Sequence, residues 1–242
     1  MYRPEKRHPA DIEGFDPPKR KLARKLPRPR FNKAEAAVLF DRLAEAYPDP
    51  VTDLDWTTPY TLVVAVALSA QSTDVGVNKA TARLFPVADT PQKMLDLGED
   101  AVREHIKTIG LYRNKAKNVI RLSEIIVGEH GGEVPESHRA LTALPGVGRK
   151  TANVVLNVAY GWPLVAVDTH IFRVGNRTGV APGKTPEEVE DNLMRMVPDR
   201  HIHDVHHHLI LHGRYLCKAR TPECWRCPIA DLCRYRDKTP AP

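Results

Sequence analysis

The chain has 242 residues, 42% hydrophobic and 27% charged, enough for one large core or two small ones and ordinary for a globular protein. Its longest apolar run, residues 62–68, is far short of the ~20 residues a membrane helix needs. No apolar stretch marks the N-terminus as a secretory signal, so a soluble, intracellular protein is expected. The net charge of +6 resides in residues 1–30, which hold ten Lys/Arg against four acids and leave a neutral body. This proline-rich stretch predicts a disordered basic arm over 1–30 that contacts a polyanion.

In chain order, Asn32 with Glu35 three residues on makes a capping pattern, and Leu39, Phe40, Leu43 and Tyr47 follow on one helical face. Proline behind a threonine cap starts helices at Thr58-Pro59, Thr90-Pro91 and Thr185-Pro186. Residues 62–68 are rich in valine and could pass for a strand, but the cap before them favours a buried helix. Ala116, Val119, Ile120 and Ile126 predict a helix over 115–130 that stops at Gly131-Gly132. Helices over 136–143 and 150–160 flank Leu144-Pro145-Gly146-Val147-Gly148-Arg149-Lys150, and a further one covers 169–178. There is no alternation of strand and helix, no repeat and no heptad pattern. An all-α fold is predicted.

The turn between those two helices carries chemistry. Gly146 and Gly148 allow positive φ and clear Cβ atoms from outward amides, which with the next helix start form a cradle for a phosphate. Such a contact positions a nucleic acid without reading its sequence; a tight helix–helix turn is the plain alternative. Lys150 stands in the first turn of that next helix, where the helix dipole and partial desolvation both favour the neutral, nucleophilic amine. By location alone a solvated lysine touching phosphate is the better reading. Asp168, in Val165-Ala166-Val167-Asp168-Thr169-His170, supplies the carboxylate that an amine nucleophile needs, as well as an N-cap for the 169–178 helix.

Cys217, Cys224, Cys227 and Cys233 are the chain's four cysteines, and their crowding points to one metal site rather than scattered disulfides. Four thiolates suit a 4Fe–4S cluster or zinc; one C-x2-C knuckle with uneven flanks favours the cluster. Arg214, Lys218, Arg220, Arg226, Arg234 and Arg236 surround these ligands and suit phosphate contacts or a solvated surface. His206, His207, His208 and His212 point in different directions along one helix, which fits buried hydrogen bonding better than metal binding.

Taken together, 68–74 (Leu-Ser-Ala-Gln-Ser-Thr-Asp), Ile109-Gly110-Leu111-Tyr112, 144–150 with Thr151-Ala152-Asn153, 167–173 and the cysteine spacing resemble the endonuclease III branch of helix-hairpin-helix DNA glycosylases, over about residues 32–236. The resemblance implies two helical domains flanking a DNA-binding cleft. One is a six-helix barrel over 52–162 that ends in the hairpin; the other, discontinuous, joins 31–51 to 163–242 and holds the 4Fe–4S loop. It implies that Lys150 faces Asp168 across the cleft. Gln71 and Leu111 would enter the duplex, the amide pairing with an orphan base and the leucine wedging an unstacked step. Gly146, Val147, Gly148 and Arg149 would contact the backbone. The implied activity is base excision repair of oxidised or ring-saturated pyrimidines in double-stranded DNA. Strand cleavage 3′ to the abasic site would follow through a lysine Schiff base, with a 4Fe–4S cluster, no divalent metal, and a monomeric protein. A monofunctional adenine-type relative and a non-catalytic DNA-binding iron–sulfur module are the other readings. Lys19-Arg20-Lys21 with Arg24-Lys25 has the form of a nuclear signal; a nuclear or organellar address is expected in a eukaryote, a cytoplasmic, nucleoid-associated one in a bacterium.

Overall fold

A computed structural model describes residues 4–18, 26–48 and 50–242. In chain order its helices are α1 (Lys33–Ala46), α2 (Pro59–Ser69), α3 (Asp74–Leu84), α4 (Pro91–Leu97), α5 (Glu99–Ile106) and α6 (Tyr112–His130). They continue with α7 (His138–Ala143), α8 (Arg149–Tyr160), α9 (Thr169–Thr178), α10 (Pro186–Met196) and α11 (Val205–Tyr215). No strand occurs among the described residues, and none of the helices there is long and apolar enough to cross a membrane.

Capping explains most of the helix starts. Asn32, Thr58, Thr73, Thr90, Ser137, Asp168 and Thr185 each accept a bond from the backbone amide three residues on, satisfying a donor that the helix leaves open. At α2 the cap is reciprocal, because Thr61 Oγ1 accepts from Thr58 N at 2.9 Å. That cap and Pro59 commit the valine-rich run to a helix despite its strand-like composition, and residues 60–68 are buried on every face. Four helices start without a side-chain cap: α5, α6, α8 and α11. Two of these, α6 and α8, follow turns already singled out by their sequence.

The chain divides into two compact units, Met1–Pro18 with Thr52–Trp162 and Lys19–Val51 with Pro163–Pro242. In the first, α2 packs against α3, α6 and α8, while α4 and α5 pack against α6 and α7 against α8. Leu62, Leu68, Leu84, Met94, Leu122, Ile126 and Leu156 are sealed inside. In the second, α1 and α9 each pack against α10 and α11 around Leu39, Phe40, Leu43, Ile171, Leu193 and Leu209, with Ile229 of the cysteine segment in the same core.

The free basic arm expected over 1–30 is not what the described residues show. Ile12 and Pro18 are buried against the first unit, and Asp16 Oδ1 accepts from His138 N at 2.9 Å. Residues 26–30 are fastened to the second unit: Pro27 O accepts from Asn192 Nδ2 at 2.9 Å and Arg30 N donates to Gly179 O at 2.8 Å. The physical reason is that the apolar side chains and capping groups between the cations have partners in the folded body, which net charge does not reveal. The lysine–arginine cluster 19–25 lies outside the described residues.

Candidate nucleic-acid interface and cysteine site

Leu144 to Val147 form a turn in which Val147 N donates to Leu144 O at 3.1 Å. Pro145 occupies its second position and Gly146, at φ +79°, its third, the arrangement of a type II turn. A Cβ on Gly146 would stand 3.2 Å from Asn118 Nδ2, so glycine answers both to backbone angle and to space. Gly148 differs from expectation: its φ of −90° and ψ of 179° are extended values open to any residue, and its use is to leave α8 without a side-chain cap. Val147 is buried and its amide is engaged inside the turn, so it anchors the hairpin rather than offering a donor. The amides facing outward for an anion therefore belong to the start of α8, with Arg149 half-buried and Lys150 exposed beside them. The desolvation expected of Lys150 is not supplied by the protein.

Gln71 and Leu111 share an uncommon backbone. Their φ values of 55° and 58° are the only positive ones among described residues other than glycine, a conformation that costs a Cβ-bearing residue roughly 1–2 kcal/mol. Leu111 is also 56% exposed. The two turns touch: a Cβ on Gly110 would lie 3.7 Å from Gln71 O. They are tied by Lys115, whose Nζ donates to Ser72 Oγ at 2.7 Å and whose own amide donates to Leu111 O at 3.0 Å. Lys115 is only 7% exposed, and burial holds its ammonium below the usual lysine pKa. Helical spacing conceals this residue, since lysine reads as polar surface; its place one turn after Leu111 was the available signal. Strained backbone concentrates where function requires it.

In the second unit Asp168 is half-buried, and its Oδ1 accepts from Ile171 N at 2.8 Å. One carboxylate oxygen thus caps α9, and Oδ2 makes no hydrogen bond to the described residues. The buried run 163–167 leads the chain into this cap.

All four cysteines are free thiols lining one pocket, together with Arg177, His212, Leu216 and Tyr235. No three His, Cys, Asp or Glu side chains among the described residues gather closely enough to hold a single metal ion. Thiols that share a pocket yet stand apart fit a cluster in which several irons each take one thiolate. Sequence reasoning missed the arginines that shape this segment. Arg177 donates to Lys218 O at 2.6 Å and Ala219 O at 2.7 Å and lies 3.7 Å from Cys217 Sγ. Arg173 donates to Gly213 O at 2.7 Å and Cys217 O at 3.0 Å. His212 sits between Tyr47 Oη (3.3 Å from Nδ1) and Cys227 Sγ (3.8 Å from Nε2). Burial lowers its pKa to about 4, so it is a neutral hydrogen-bonding group; His206 and His208 are buried too. Of the cations expected to face phosphates, Lys218 and Arg226 both pair with Glu223, and Arg234 pairs with Glu35 at 3.0 Å while lying over the Phe31 ring.

Comparison with known proteins gives this geometry its context. The family model described as HhH-GPD superfamily base excision DNA repair protein matches residues 64–199, and that of the iron–sulfur binding domain of endonuclease III matches 217–233. Endonuclease III of Escherichia coli (strain K12) is 58% identical over 208 residues, covering 86% of this chain and 99% of the relative. That of Haemophilus influenzae is 56% identical over the same shares. A solved endonuclease III–DNA covalent intermediate, trapped as an estranged-adenine complex, is 43% identical with a TM-score of 0.79, covering 84% of this chain and 96% of that one. The chain belongs to the helix-hairpin-helix superfamily of base excision DNA repair proteins, in its iron–sulfur endonuclease III branch.

Proposed function

We propose that Lys150 is the nucleophile and Asp168 the carboxylate of a base excision repair enzyme acting on oxidised or ring-saturated pyrimidines and abasic sites. The chain is a bifunctional DNA glycosylase and abasic-site lyase, and the monofunctional adenine-type alternative is not favoured. The observation that carries the assignment is a lysine in the first turn of an uncapped helix whose open amides suit a phosphate, directly after a glycine turn.

In this reading the helix start grips the DNA backbone, and bound DNA removes water from the exposed Lys150 amine. The amine attacks the sugar C1′, the glycosidic bond breaks, and the base departs with its electron pair. Asp168 steadies positive charge at the sugar and takes the proton the amine sheds, through the oxygen that does not cap α9. Ring opening gives an imine between Nζ and C1′; loss of a C2′ proton then expels the 3′ phosphate and breaks the strand. Gln71 and Leu111 fill the gap left by the extruded nucleotide. Cys217, Cys224, Cys227 and Cys233 hold the 4Fe–4S cluster, which when bound ties 217–233 into one covalent unit.

The test is to incubate the cluster-loaded protein with a duplex containing thymine glycol or an abasic site and reduce with borohydride. A covalent protein–DNA adduct is expected, and none with Lys150→Ala. Base release by active protein without an adduct would remove Lys150 from this role.

A further inference from the structure

The N-terminal segment lies across both ends of the helix-hairpin-helix that are far from its turn. At the first end it completes the start of α7. Asp16 Oδ1 accepts from His138 N at 2.9 Å, and Oδ2 accepts from Arg139 N at 3.0 Å and from Ser137 Oγ at 2.8 Å. Ser137 Oγ in turn accepts from Ala140 N at 3.2 Å. Every open donor of this six-residue helix is thereby satisfied, two of them by a residue more than a hundred positions away. A helix so short does not persist on its own propensity. Burial works against the Asp16 charge, but the bonds from Arg139, Ser137 and His138 outweigh it and hold the carboxyl below its usual range.

At the other end the segment closes over the finish of α8. Arg7 N donates to Gly161 O at 3.1 Å, and the Glu5 carbonyl sits so near Gly161 Cα that any Cβ there would collide. The Phe15 ring stands 4.8 Å from that of Trp162. Glu136, just before α7, accepts from Trp162 Nε1 at 2.7 Å and pairs with Arg7. One strap of chain thus joins the beginning of α7 to the end of α8, and one of its cations is turned to a carboxylate of the body.

We propose that residues 5–16 are a clasp that positions the hairpin for its phosphate, with Asp16 as the positioning residue. The inference rests on the reading of the hairpin and the α8 start as a DNA contact. Amides fixed before DNA arrives bind without an ordering cost. With both outer ends of the motif held, the turn between its helices has little freedom to splay.

The experiment compares full-length, cluster-loaded wild type with Asp16→Ala, Asp16→Asn and Gly148→Glu. Gly148 has open space around a Cβ and an ordinary φ, so the glutamate folds while setting a carboxylate where the phosphate belongs. Binding to a duplex bearing a reduced abasic-site analogue is measured over a salt series, with amide exchange followed in 137–151. Asp16→Ala is expected to raise Kd about three- to tenfold, the effect of a lost cap. It should speed exchange in 137–151 and raise KM with kcat unchanged, at an unaltered salt slope. Asp16→Asn, which keeps an acceptor and secures the test should the alanine variant misfold, is expected to fall between. An unchanged Kd in both Asp16 variants, while Gly148→Glu abolishes binding, overturns the clasp alone. A salt slope altered by about 0.9 per phosphate would mean the segment itself touches DNA, and also overturns it. Full binding by Gly148→Glu instead sinks the hairpin reading beneath it.

Discussion

Leu111 and Gln71 hold positive φ without a glycine's freedom, and Leu111 shows solvent a side chain that would ordinarily be buried. A fold selected for stability alone would place glycine there. Relief of roughly 1–2 kcal/mol of strain would be offset by about 0.5–1 kcal/mol of extra backbone entropy lost by glycine. Leu111→Gly is therefore expected to leave Tm unchanged or slightly raised by calorimetry. Turnover on duplex substrate should nevertheless fall by on the order of tenfold or more, because nothing holds the opened step apart; a large loss of Tm with normal turnover would contradict this. Lys115 behaves similarly. Its buried ammonium has one neutral hydroxyl partner, so Lys115→Met should not lower Tm, while the loosened Gln71 turn lowers duplex turnover. The pH sign follows from its lowered pKa: the cost of the buried charge is fully present below the folded pKa and is relieved as pH rises toward the unfolded value of 10.5. Wild type should gain stability relative to Lys115→Met over that range, in melts compared pH by pH. Side-chain chemistry singles out Lys150, Asp168 and the cysteines as candidates in the sequence, but backbone φ and the burial of a lysine arise from tertiary contacts and leave no local pattern.

Helices were legible where their starts are local. Thr58-Pro59 fixed α2 against its strand-like composition, and Asn32 with Glu35 fixed α1. Thr58→Ala is expected to cost about 1 kcal/mol, seen as a lowered denaturant midpoint with an unchanged slope. One start without a cap was misplaced: α6 begins at Tyr112, three residues before its regular apolar spacing, because strained Leu111 stands where a capping side chain would. The helix before the hairpin begins at His138, not 136, because Ser137 caps it, and Asp16 completes that cap from far along the chain. No window of sequence contains that pair. Since the Asp16 carboxyl is held low, its contribution is present above the unfolded value of 3.8 and is lost as pH falls through the lower folded value. Acid unfolding of wild type and Asp16→Ala should accordingly converge below that value and diverge above it.

At the scale of the molecule, composition located the charge but not its use: a +6 excess in thirty residues suggested a free arm, whereas the parts described are fastened by apolar and capping contacts. The cysteine segment shows the opposite relation, where spacing alone identified one site and the fold supplies its supports. Ile229 enters the core of the second unit, and Leu232, Cys217 and Cys227 pack against that core. Protein hydrogen bonds hold its first part through Arg173 and Arg177 on the carbonyls of residues 213–219, and its later part more sparsely, through Arg42 on Pro228 O, Cys233 N on Ile229 O and Arg234 N on Thr178 O. Beyond Ala219 the segment has one short 3-10 turn, Cys224–Arg226, and few bonds to the rest of its unit, so thiolates joined through metal would supply the cross-links it lacks. Removing the cluster by oxidation and chelation is therefore expected to raise amide exchange sharply across 220–235 and modestly at the end of α9, where Arg234 N meets Thr178 O at 3.0 Å. Exchange in α2 and α8, whose contacts lie within the first unit, should not change. Protection retained across 220–235 after complete iron loss would show that the polypeptide holds this segment unaided.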